Sequence, residues 1–170
     1  TKILIDSDTS NFNLFIINSG DGTVTKITKD GVSSIFCDSL NNPVDFVLDG
    51  FVILRNKNIE AVNRDHDLAF TEKVIRLKGL KINSDDIIPI KDLASIIKYI
   101  SEKYGIFQIA KKSSKSAYLG KLIGLTDEEL TIDFLDIRGQ FGGELSFNPE
   151  KIRVIEFDTD YINSLKLVIS

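Results

Sequence analysis

Cysteine occurs once in this 170-residue chain, at Cys37, and methionine and tryptophan do not occur at all. A lone thiol closes no internal disulfide, so the fold has to stand on its core, as expected in a reducing compartment such as the cytoplasm. Histidine is single too, at His66, which leaves no His cluster for a metal and only a Cys37–His66 pairing on paper for nucleophilic catalysis. Positive charge is in deficit: 21 Lys and Arg stand against 25 Asp and Glu, a net charge of −4. That balance disfavours broad attraction to phosphate backbones or to anionic membranes. No apolar run reaches the ~20 residues that cross a bilayer. The opening residues Thr1 to Asp6 lack the basic and apolar segments of a secretory signal, so the expected setting is cytoplasmic, with no membrane partner.

What is present is a β-rich pattern at both ends. Short apolar runs at 12–17, 24–28 and 32–37 are divided by Gly20-Asp21-Gly22 and Asp30-Gly31. Asp-Gly between such runs signals a hairpin, because glycine adopts positive φ without steric cost. Phe46 to Leu48, Phe51 to Leu54 and Ile59 to Val62 follow, with Asp49-Gly50 as a further break. In the middle, Leu93, Ile96, Ile97, Ile100 and Tyr104 recur at helical spacing. Pro89 suits a first helical turn and Gly105 a C-terminal cap, which predicts an amphipathic helix over 89–104. After it, runs at 106–110, 117–125, 130–134 and 152–157 restore the strand pattern, Leu130, Ile132 and Phe134 alternating with Thr131 and Asp133.

The two ends also align without a gap. Residues 50–68 lie over 143–161, so that Gly50 meets Gly143, Ile59 meets Ile152, and Asp65 and Asp67 meet Asp158 and Asp160. Such a match reads as one packing solution used twice. About five strands per half shed their edges best by closing, so the expected fold is mainly β: two tandem five-stranded small barrels joined by the helix. The expected organisation is a first barrel over 1–80, a linker and connecting helix over 81–104, and a second barrel over 105–170.

The segment Leu119-Gly120-Lys121-Leu122-Ile123-Gly124-Leu125-Thr126-Asp127, followed by Leu130 to Asp136, resembles the first signature of Sm-like (Lsm-type) barrels. The resemblance covers about 118–157 and is similar to that of uncharacterised bacterial tandem-barrel proteins. It implies a glycine-bent strand shared by both sides of a small barrel, and RNA as a partner class. The sequence differs from the RNA-binding members in placing Thr131 after Leu130 and Ile137-Arg138-Gly139 before the fourth strand.

No constellation has the form of a catalytic or metal site, and no cofactor motif is present. His66 between Asp65 and Asp67 has a counterpart in Asp158-Thr159-Asp160, where an aspartate is expected to cap a short helical turn. Gly139, Gly142 and Gly143 lack the Gly-Lys-hydroxyl ending of a phosphate loop. The acids Asp127, Glu128, Glu129, Asp133 and Asp136 read as a solvated face. Lys111, Lys112, Lys115 and Lys121 with Tyr118 form an acid-free stretch to which Arg138 and Phe141 could add, the candidate contact for a nucleic-acid strand. The first expectation is nonetheless a non-enzymatic binding module for a protein partner, by strand addition at a barrel edge or through its loops.

Overall fold

The computed structural model describes residues 2–5, 11–13, 40–44, 46–55, 59–63, 66–79, 88, 92–111 and 116–169. Among these residues, ten strands and three α-helices run in the order β1 (Lys2–Ile5), β2 (Asn11–Asn13), β3 (Leu40–Val44), β4 (Val47–Leu54), β5 (Ile59–Asn63), α1 (His66–Leu77), α2 (Leu93–Tyr104), β6 (Ile106–Ala110), β7 (Ala117–Leu125), β8 (Leu130–Leu135), β9 (Phe141–Phe147), β10 (Val154–Phe157) and α3 (Asp160–Lys166), with a 3-10 turn, Pro149–Lys151, between β9 and β10. The runs expected at 24–28 and 32–37, with Cys37, lie outside the described residues. No helix among those described is long and apolar enough to cross a membrane.

The expected pair of five-stranded barrels does not form. A three-stranded sheet, β2-β1-β5, stands beside one seven-stranded antiparallel sheet, β3-β4-β10-β6-β7-β8-β9, and the larger one takes strands from both ends of the chain. The two aligned segments are therefore arranged differently, since β4 and β5 fall in separate sheets whereas β9 and β10 share one. The physical reason is the pairing of β4 with β10, in register from Leu54↔Val154 to Phe51↔Phe157. An edge that closure would have hidden is instead covered by a strand from the other half.

Alternation lets the central strands of this sheet bury side chains on two faces. On one, Phe51, Ile53, Phe107, Ile109, Ile132 and Ile155 meet Ile96, Ile97 and Ile100 of α2. Burial of each such side chain contributes about 1.5–3 kcal/mol. On the other, Ile106, Leu119 and Leu135 meet Ile162 and Leu165 of α3. The helix expected over 89–104 begins at Leu93, because Asp92 caps it by accepting from the backbone N–H of Ser95 at 2.7 Å. Gly105 ends it at φ +77°, donating to the Ile100 and Ser101 carbonyls. Pro89 lies outside the described residues. Ahead of α3 the cap is Thr159, whose Oγ1 accepts from the Ile162 N–H at 3.2 Å, in place of the aspartate expected there. Asp158 instead takes a left-handed φ of 57° and accepts from Asn163 Nδ2.

Asp49-Gly50 likewise proves not to be a turn. Both residues lie inside β4, where Gly50 has a φ of +64°. A Cβ there would sit 2.6 Å from the Phe157 carbonyl oxygen, the Asp158 carbonyl carbon and the Thr159 nitrogen, all backbone atoms that cannot yield. The glycine is thus what lets β4 close on the end of β10. Gly50→Ala is expected to cost about 2–4 kcal/mol through left-handed strain plus overpacking, read as a lower urea midpoint in equilibrium unfolding.

Candidate functional site

Of the candidate residues, Lys121 lies on β7 and Phe141 on β9, with β8 between the two strands. β7 runs Ala117–Leu125 without interruption, and Gly120 permits it, since a Cβ there would collide with the Asp133 carbonyl on β8. A register shift between Leu122 and Gly124 leaves Ile123 as an extra, half-exposed residue in a bulge. Such a bulge turns a side chain outward and sharpens the strand's twist.

Lys121 of β7 stands over the ring of Phe141 on β9, its Nζ 4.4 Å from the centroid. The structure thus brings together two of the residues expected to hold nucleic acid. Lys111 lies elsewhere, with Nζ 5.0 Å from the Tyr118 ring and 5.2 Å from that of Phe147. Tyr118 and Lys121 are three residues apart on one strand and so face opposite ways. Tyr118 packs on the α2 side of the sheet, and Phe141 on the α3 side. Lys112 and Lys115 lie outside the described residues. Arg138 is exposed in the turn before β9, and that turn is built by Asp136, which accepts from the Gln140 N–H at 2.9 Å and the Arg138 N–H at 2.8 Å. These two backbone donors, Gln140 first, hold the Asp136 carboxyl below its ordinary value of 3.8. The lysine–aromatic pairs therefore form two separate places, not one continuous groove.

β9 borders only β8 among the described strands, and residues 142–146 are all exposed. Across β7, β8 and β9 the register sets Lys121, Asp133 and Glu144 in one row, and Leu122, Ile132 and Leu145 in the next. Alternation sends these rows to opposite faces. Thr131 Oγ1 and Ser146 Oγ lie 2.9 Å apart and share a hydrogen bond, continuing the polar face. An added strand would meet acid and hydroxyl groups on one side and Leu145 on the other.

Two charged groups that sequence reasoning passed over are more deeply placed. Arg55, at the end of β4, is 2% exposed, and its Nη1 donates to the Glu150 carbonyl at 3.0 Å and to Glu150 Oε2 at 3.2 Å. It ties β4 to the 3-10 turn Pro149–Lys151, and its own N–H reaches the Arg153 carbonyl. Only its position at the end of an apolar strand run could have signalled this. Glu156 on β10 faces Gln108 and Val52 across the register. Burial pushes its carboxyl above the ordinary 4.5, the hydrogen bond from Gln108 Nε2 opposes that, and the charge of Asp49 adds to it. His66 is exposed as the first residue of α1. Among the described residues no group of three or more His, Cys, Asp or Glu could hold a metal ion. The chain matches no family model, no curated protein and no solved structure.

Glu156 makes the fold sensitive to pH in a defined direction. A carboxyl whose pKa is raised by folding stabilises the native state fully below the unfolded value, 4.5, and that contribution is lost as pH rises through the raised folded value. Urea midpoints should therefore fall more steeply for the wild type than for Glu156→Gln as pH rises from 4.5 through the raised folded value, and the two profiles should run parallel above it. Profiles parallel throughout would show that the carboxyl is solvated in the fold.

Proposed function

We propose that this chain is a non-enzymatic binding module that recognises an extended segment of another protein by adding it to the outer edge of β9. The observation behind this reading is the exposed edge itself, residues 142–146, in a sheet whose other outer strand among those described, β3, carries Pro43. Main-chain hydrogen bonds supply affinity in strand addition, and alternating side chains supply selectivity. The preferred segment has an apolar residue against Leu145 and a Lys or Arg toward Glu144 and Asp133 on the alternate face.

The alternative is RNA binding of Sm-like type through the Lys111–Lys121 stretch. It draws support from the stacking of Lys121 on Phe141 and of Lys111 on Tyr118. Its weakness is that these pairs face opposite sides of the sheet, and the chain as a whole is acidic.

Selection of short peptides from an unbiased displayed library tests the first reading. Enriched peptides should alternate apolar and basic residues, shift the backbone amides of residues 142–147 in NMR spectra, and bind Glu144→Lys about tenfold more weakly. Failure to enrich, or shifts confined to another surface, would remove the edge proposal. Fluorescence anisotropy of labelled mixed-sequence RNA and DNA tests the alternative, which requires binding that weakens steeply with salt and on changing Lys111 and Lys121 to Glu. No binding at low salt ends it.

A further inference from the structure

A second surface lies at the other side of the seven-stranded sheet. Phe46, at the corner between β3 and β4, meets Phe70 of α1 edge to face, ring centroids 6.1 Å apart. Lys78, just past α1, donates from Nζ to the Phe46 carbonyl at 2.8 Å and pins the corner to the helix. The apolar side chains here remain open to solvent, Phe70 at 59% and Leu77 at 78% exposure. The stretch 73–79 beside them holds Lys73, Arg76 and Lys78, three cations in seven residues against the single acids Glu72 and Asp45 next to Lys73 and Phe46 in sequence, in a chain whose net charge is negative. Cations in a last helical turn complement the helix dipole. That does not account for exposed aromatic and aliphatic groups gathered among them, a composition typical of interface centres.

The complement to this surface is present in the same sequence. The turn between β7 and β8 exposes Asp127, Glu128 and Glu129 in succession. Beside it the bulge at Ile123 turns an apolar side chain outward, at 49% exposure. An acidic tip with an apolar knob faces a basic rim with an aromatic floor. β10 and β6 lie between β4 and β7 in the sheet, which sets the two features apart on one molecule.

We propose that the Phe46–Phe70 surface, with its rim of Lys73, Arg76 and Lys78, docks the β7–β8 tip of a second copy of this chain. The contact is head-to-tail, so it propagates into a ring or a short filament and does not stop at a two-fold dimer. It uses neither the outer edge of β9 nor the lysine–aromatic pairs, and stands independently of both.

Sedimentation velocity tests it on the intact chain, from about 10 μM to about 500 μM protein, at about 50 mM and about 500 mM salt. The expected result is a mean mass that rises above the 19.0 kDa monomer with concentration at low salt and falls back at high salt. Lys73→Glu with Lys78→Glu, and separately Asp127→Lys with Glu128→Lys, should each weaken association at least tenfold. An equimolar mixture of the two double variants should recover it, because each then offers the other complementary charge, and recovery also proves both variants folded. Monomer at every concentration would overturn the proposal, as would association that neither variant disturbs or that the mixture fails to restore. So would binding of the monomer to phosphatidylglycerol-containing vesicles that is lost in the Lys73→Glu, Lys78→Glu variant, which would assign the surface to lipid.

Discussion

Four backbone pairs between β4 and β10 hold the two ends of this chain in one sheet, and most of what surrounds them exists to let those strands meet. Gly50 removes the Cβ that would strike the end of β10. Phe51 and Phe157, directly opposite in register, stack at 5.4 Å between centroids, and Tyr104 of α2 closes on Phe157 at 4.9 Å. Aromatic contacts of this kind add about 0.5–1.5 kcal/mol each beyond the area they bury. Arg55 continues the seam past the last strand pair by gripping the turn before β10. Helix α2, β4 and β10 thus share one core although they are far apart in sequence.

That arrangement decides which surfaces are left for binding. With β10 flanked by β4 and β6, the outer strands of the sheet among the described residues are β3 and β9. β3 contains Pro43, which has no N–H to offer a neighbouring strand. β9 contains no proline and no lysine, two of the devices by which edge strands are commonly blunted. The charge pattern follows the same division. Acids collect at β8, β9 and the β7–β8 turn, while the acid-free basic run follows β4 at the end of α1.

Local structure was legible in the sequence wherever periodicity and turn chemistry acted alone. The β-like runs marked β6 and β7 at their observed bounds, and the spacing of Ile96, Ile97 and Ile100 marked α2. Both aligned segments run strand, strand, helix. Pairing was not legible, because a strand's residues state which face is apolar and do not state which edge it will join. Gly50 shows the limit well: Asp-Gly reads as a turn, yet the glycine is needed inside a strand for an approach by residues over a hundred positions away. At the candidate site, Lys121 and Phe141 were both expected and do meet. The separation of Lys111 from them depends on alternation through a strand whose extent was known but whose neighbours were not. The burial of Arg55 and Glu156 depends wholly on the β4 and β10 seam, and no local pattern reports it.

The same seam has a temporal side. Leu54 and its partner Val154 are 154 − 54 = 100 residues apart, so the pair closes a very long loop, an entropic cost of about 4 kcal/mol before any contact offsets it. The meander of β6, β7, β8 and β9 needs only near neighbours and can assemble first. On a ribosome, β4 emerges long before the strand that completes it and must wait with Phe51, Val52, Ile53 and Leu54 uncovered while the whole second half is made. Vectorial synthesis therefore leaves an apolar strand with only β3 to pair with for the time it takes to add those 100 residues, the interval in which a chaperone has most to protect.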